Sequence, residues 1–193
     1  MPSINEIFER LSDVLIDQDI SGDLDFVPPD DAIAGFRIES NCLAVDVQIL
    51  PLLYQHAWLE FVSARKTGTI ESLIRTTSIL VMVNPDCYSA WNARRTLIIT
   101  RSLETLREME FTRLLVTKHP KSSILWSHRH WVRHRIATDD PSAAISDDTR
   151  LISTACDRYK KNYAAWTYRT RVFVHTIEYV TLSLFSSHKE VVF

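Results

Sequence analysis

The sequence predicts an all-α fold: a right-handed α-α superhelix, or solenoid, of helical hairpins with Trp-centred repeats. Three observations carry this. Glycine is confined to Gly22, Gly35 and Gly68 in 193 residues, too few for the turns of a β-sandwich or a Rossmann-type sheet. Apolar residues recur at helical spacing between proline-marked stops. A segment centred on tryptophan occurs three times without gaps, and such self-similarity marks a stacked-repeat architecture.

The elements follow in order. Residues 4–15 place Ile4, Ile7, Phe8, Leu11, Val14 and Leu15 at helical spacing, predicting a first amphipathic helix. Residues 17–35 are acidic and contain Pro28-Pro29 and two glycines, which reads as a loop or arm. A second helix is expected from Val45 to Arg65 through Ile49, Leu52, Leu53, Trp58, Leu59 and Val62; Pro51 should start or kink it, and Gly68 ends it. A helix from Thr69 to Val83 stops at Asn84-Pro85, because proline disfavours helix at the residue before it. The next runs from Ser89 to Thr100. Ser102 is a candidate N-cap for a helix to Lys118, which stops at His119-Pro120, and Ser122 or Ser123 caps another to Ile136. The polar stretch TDDPSAAISDD reads as a loop, followed by helices over 148–159 and 163–180.

Three regions result. Residues 1–35 form an acidic N-terminal helix and loop; residues 36–174 form the solenoid, with repeats at 69–100, 102–136 and 148–174; residues 175–193 are an atypical tail. Leu182, Leu184 and Phe185 of that tail would cap the apolar end of the stack or bind a partner.

Composition excludes several classes. With 46% hydrophobic and 24% charged residues, the chain has the make-up of a soluble globular protein. Cys42, Cys87 and Cys156 are odd in number and far apart, which argues against a disulfide framework and for a reducing compartment. The N-terminus MPSINEIFERL lacks a secretory apolar core, and no apolar run is long enough to span a membrane. A cytoplasmic location follows as the expectation. Residues 1–31 hold nine acids against Arg10 alone, while residues 84–136 hold ten Lys or Arg against four acids. A basic surface behind an acidic head suggests an anionic partner, although a solvated helix face is the commoner cause of such a run. Nucleic acid is not the expected partner, because aromatic residues at helix-core spacing serve packing more often. His130 and His134 are four apart on one helix, but no nearby acid or cysteine completes a metal set, so no metal is expected in this chain.

The repeat carries the chemistry. NPDCYSAWNARR (84–95), HPKSSILWSHRH (119–130) and YKKNYAAWTYRT (159–170) align around Trp91, Trp126 and Trp166, each followed three positions on by Arg94, Arg129 and Arg169. Residues three apart share a helix face. The tryptophans can therefore fill the gap between hairpins, while each arginine holds a carbonyl or an acid of the next unit. One hairpin cannot bury its apolar face alone, so the units stack.

These segments resemble the protein prenyltransferase α-subunit repeat, whose core reads roughly N-Y-x-x-W-x-x-R-R. The stretch IESNCLAVDVQILPLLYQHAWLEFVSARK upstream is similar to a repeat-containing branch of the same family, so the resemblance covers residues 36–174. It implies an α-type subunit of a heterodimer, inactive without a zinc-bearing β subunit, supporting farnesyl or geranylgeranyl transfer to C-terminal cysteines of substrate proteins. Zinc then belongs to the β subunit. The family's diphosphate-contacting lysine, five residues before the repeat Trp, matches Lys121, and a tyrosine near the diphosphate matches Tyr163. The sequence departs from the pattern at Ser123, where the family has tyrosine, and at Ala164, where it has histidine. A non-catalytic helical-repeat adaptor that binds another protein is the alternative reading.

Overall fold

The computed structural model describes residues 2–17, 20–29, 35–136 and 141–174, with backbone only for 141–144. The tail 175–193, its cap residues and the expected run of the last helix to 180 lie outside the described residues. The chain opens with α1 (Ile4–Asp17), whose Ile7, Phe8, Leu11 and Leu15 are buried. Ser3 starts it: its hydroxyl accepts from the Glu6 amide and the Glu6 carboxylate accepts from the Ser3 amide, a reciprocal cap.

The next elements correct the sequence reading. The stretch that runs from the expected acidic loop (17–35) to the expected helix start at Val45 forms a small sheet of β1 (Leu24–Val27), β2 (Phe36–Glu39) and β3 (Cys42–Asp46), ordered β1-β3-β2. β1 runs parallel to β3, Leu24 opposite Leu43, and β2 is antiparallel to β3, Glu39 opposite Cys42. The hairpin turn is Ser40-Asn41 with φ of 50° and 62°, the pair of left-handed residues that matches strand twist in a two-residue loop. β1 precedes the boundary expected at 35/36 and β3 follows it, so one sheet joins the two regions. The second helix therefore starts later: α2 (Leu50–Thr67) has Pro51 in its first turn, where a missing amide costs nothing. Gly68, at φ 72°, caps its C-terminus and donates to the Ala64 carbonyl.

Three hairpins follow. They are α3 (Ile70–Val83) with α4 (Tyr88–Ile99), α5 (Thr105–Lys118) with α6 (Ser123–Arg133), and α7 (Pro141–Arg158) with α8 (residues 163–174). Two starts differ from expectation. α5 begins at Thr105, since Arg101 at φ 59° turns the chain and Glu104, not Ser102, takes the cap position without a side-chain cap bond. α7 begins at Pro141, inside the stretch read as a loop and ahead of residue 148; proline suits the first helical turn. The all-α class holds, with the sheet as an appendage of the first third.

One apolar core runs from Phe8 through Leu53, Leu80, Trp91, Leu115 and Trp126 to Tyr168. The acidic N-terminal segment is tied onto the repeats by the repeats' own cations. Arg75 bridges Glu9 and Asp13 of α1. Arg113 donates to the Ile20 and Gly22 carbonyls, Lys118 pairs with Asp25 at 2.6 Å, and Arg158 pairs with Asp23. Part of the charge asymmetry is thus satisfied within the chain.

Candidate functional site

The three turns share one construction. In each, the residue four before the tryptophan occupies the N-cap: Cys87, Ser122 and Asn162, whose carbonyls accept from the amides of Trp91, Trp126 and Trp166. Ser122 Oγ caps the Leu125 amide and Asn162 Oδ1 the Ala165 amide. Proline six before the tryptophan has a second use. The Trp91 indole donates to the Pro85 carbonyl at 2.8 Å and the Trp126 indole to Pro120 at 2.7 Å, so the buried N–H groups are satisfied. Asn162 also donates to Pro120, and Ser122 donates to Asp86, linking successive turns.

The tryptophans then lock hairpin to hairpin. Trp91 packs on His128 of the next unit with centroids 4.3 Å apart, and Trp126 on Tyr168 at 4.8 Å. They are 1% and 2% exposed, whereas Trp166 is 46% exposed and lies under the Arg169 guanidinium. The third tryptophan is therefore not buried cement like the first two, because among the described residues no further hairpin covers it. The arginines bridge in the same direction. Arg94 donates to Thr77 and Ser78 of its own hairpin and to Glu108 of the next. Arg129 repeats this with Thr112 and Asp148, and Arg133 adds a bond to Asp148.

Sequence spacing did not reveal Glu108, Asp148 or His128. Glu108 is fully buried; burial pushes its carboxyl up, but the charge of Arg94 and the bonds from His128 and Arg94 outweigh this and hold it at about 2. His128 is held below the usual histidine range, first by burial, although its 2.7 Å bond to Glu108 opposes the shift. Burial likewise pushes the Tyr168 hydroxyl up to about 12. These groups form an inter-repeat polar core.

The surface over this core holds the candidate site. A groove of about 330 Å³ opens between α6 and α8, floored by Trp126 and Tyr168 and lined by Lys121, Ser123, Ser127, Tyr163, Ala164, Thr167 and Arg171. Lys121 and Tyr163, from different repeats, therefore share one cavity, and the two departures Ser123 and Ala164 line it as well. Lys121 precedes the N-cap of α6, and its ammonium lies 4.2 Å from the centre of the Tyr159 ring. Tyr163 is the first residue of α8 and 78% exposed. Arg171 was missed, although Tyr163, Thr167 and Arg171 are each four apart and so lie on one helical face. Among the described residues no carboxylate lines the groove, and the N-terminal ends of α6 and α8 both lie at it, so its field favours an anion. His130 and His134 lie with ring centres 4.2 Å apart; among the described residues no three His, Cys, Asp or Glu side chains group as metal ligands. Nor is any described helix long and apolar enough to cross a membrane.

Known proteins share this pattern. The family model "Protein prenyltransferase alpha subunit repeat" matches residues 70–100, 105–136 and 145–176, each match covering one of the three hairpins. The human Protein prenyltransferase alpha subunit repeat-containing protein 1 is 31% identical over 157 residues, 72% of this chain and 38% of its own length. Its Danio rerio counterpart is 32% identical over 118 residues, 51% of this chain and 28% of its own. The Geranylgeranyl transferase type-2 subunit alpha of Saccharomyces cerevisiae is 30% identical over 121 residues, 60% of this chain and 36% of its own. The chain thus spans well under half the length of these relatives. With three matched hairpins, the first two locked to the next by their Trp and Arg, the chain belongs to the protein prenyltransferase alpha subunit repeat family.

Proposed function

We propose that the chain acts as the α-type subunit of a heterodimeric protein prenyltransferase, placing the groove between α6 and α8 against the diphosphate of an isoprenoid donor. The observation that carries this reading is the meeting of Lys121 and Tyr163 in one groove that no described carboxylate lines. The chemistry needs a cation and a hydrogen-bond donor where charge builds on the leaving diphosphate. Lys121 supplies the first and the Tyr163 hydroxyl the second, with Arg171 on the same helical face as Tyr163. The cysteine of the substrate protein and the zinc that activates it belong to the β subunit in this reading, and the described residues of this chain group no zinc set. Four of the relatives' names specify geranylgeranyl transfer, which favours that group over farnesyl. A cytoplasmic location fits three unbridged cysteines.

The test is transfer of a labelled isoprenoid to a C-terminal-cysteine substrate by the chain purified with a zinc-bearing β subunit. Lys121→Ala should lower kcat/KM by about tenfold to a hundredfold with the heterodimer intact. Unchanged transfer in that variant removes Lys121 from the site. Ser123 and Ala164, both in the groove, favour a second reading: a non-catalytic adaptor using the same face to hold a protein. Under it the heterodimer forms, no transfer occurs, and Lys121→Ala changes nothing.

A further inference from the structure

Most cations of residues 84–136 already have partners. Arg94, Arg129 and Arg133 are spent on Glu108 and Asp148, Arg113 and Lys118 on the N-terminal segment, and Arg107 on Glu104. Arg95 and Arg135 have no carboxylate partner among the described residues. Both instead lie over Trp131, with guanidinium carbons 5.3 and 3.5 Å from its ring centre. Arg95 is half-buried and its Nε is enclosed without a hydrogen-bond acceptor. Burial, and then the neighbouring charge of Arg135, lower its affinity for its proton. Arg135 also donates to the Trp131 carbonyl, but two like charges stacked around one indole, one of them desolvated, leave a demand for an anion that no described residue meets.

The stack stands beside a second groove, of about 190 Å³, between α4 and α6. Tyr88, Asn92, Arg95, Ser123 and Ser127 line it, again without a described carboxylate. Ser123 and Ser127 also line the α6–α8 groove, so the two run side by side. Tyr88 stands 66% exposed at the start of α4. Asn92 and the two serines can bond peptide groups, and the arginines offer planar forks that suit carboxylates.

We propose that the α4–α6 groove and the Arg95–Trp131–Arg135 stack bind an acidic, extended segment of a partner protein, its carboxylates seated on the two guanidiniums. Charge complementarity selects this occupant: the groove lining holds a cation, aromatic and hydroxyl groups, and among the described residues no acid lines it or pairs with the stack beside it. The site is separate from the Lys121 groove and does not depend on catalysis.

The experiment is fluorescence anisotropy of the full chain with a labelled Glu–Gly repeat peptide, against Lys–Gly and Ser–Gly peptides of the same length. The Glu–Gly peptide alone should bind, and Arg95→Gln with Arg135→Gln should weaken it about tenfold or more. Lys160→Gln with Lys161→Gln, an equal charge change in the turn before α8, should alter affinity less than about twofold, as should Lys121→Ala. Because Arg135 pairs with no described acid and makes one exposed bond, to the Trp131 carbonyl, Arg135→Gln should shift the urea midpoint little and still weaken the peptide. The proposal fails if the groove variants bind as wild type does, or if the control pair weakens binding equally. It also fails if Lys121→Ala abolishes binding, which would move the peptide to the other groove, or if the Ser–Gly peptide binds as well.

Discussion

At the scale of single residues, the buried triad Arg94–Glu108–His128 sets the response to acid. The folded carboxyl of Glu108 lies at about 2, below the roughly 4.3 of an unfolded glutamate. Its stabilisation is complete above that unfolded value and is lost as pH falls towards 2. His128 is held below its ordinary value, so the unfolded chain takes up the proton first and stability also falls as pH drops below about 6.5. The urea midpoint should therefore decline between neutrality and mildly acidic pH, and His128→Gln should flatten that decline; His119, also held down by burial, supplies the remainder. An unaltered slope in the variant would mean that His128 takes up its proton equally in the folded and unfolded chain, and a steeper one that it is already charged in the fold. Glu108→Ala leaves Arg94 buried without its counter-ion and should cost about 3–5 kcal/mol in urea unfolding. The tryptophans separate by burial: Trp126→Ala should cost about 3–5 kcal/mol, but Trp166→Ala only about 1 kcal/mol. Spacing named Trp91, Trp126, Arg94 and Arg129, because a repeat is a local pattern. It could not name their partners, since Glu108 and Asp148 lie in the next hairpin at separations of 14 and 19 residues that no helical period encodes.

At the scale of elements, the turns were legible and the sheet was not. Asn84-Pro85 and His119-Pro120 stop helices by a local steric rule, so α3 and α5 end where the sequence places their ends. β1, β2 and β3 have only four or five residues each, too short for alternation to stand out, and their Ser40-Asn41 turn lacks the glycine that usually signals a hairpin. Pro141 falls in the stretch that reads as a polar loop, although proline equally begins a helix. Two glycines test the local accounts. Gly68 has open space around a Cβ and only its positive φ to protect, so Gly68→Ala should cost about 1 kcal/mol. At Gly22 a Cβ would stand 2.6 Å from the Asn41 carbonyl and 2.7 Å from Cys42 Sγ. Gly22→Ala should therefore loosen the β1–β3 pairing, seen as lost amide protection over residues 24–27 in hydrogen exchange.

At the scale of the molecule, the N-terminal segment closes the near side of the stack. Its acids meet Arg75, Lys118 and Arg158 at partly exposed positions, so each pair contributes little by itself. Phe8, Leu11 and Leu24 in the shared core carry the attachment. Lys118→Glu with Arg158→Glu should accordingly raise exchange in β1 while shifting the global urea midpoint by less than about 1 kcal/mol equivalent. The acidic head read from composition as a sign of an outside partner is in part the repeats' own ligand, and what composition could not show is which cations it leaves over. Those include the ones at the two grooves. Whether they serve prenyl transfer is decided by one measurement: co-purification of the full chain with a zinc-bearing prenyltransferase β subunit, followed by transfer of labelled geranylgeranyl diphosphate to a protein ending in cysteine. A stable heterodimer with transfer that falls about tenfold or more in Lys121→Ala is the result expected. A chain that forms no complex with any such β subunit, or a complex whose transfer ignores Lys121, would contradict it.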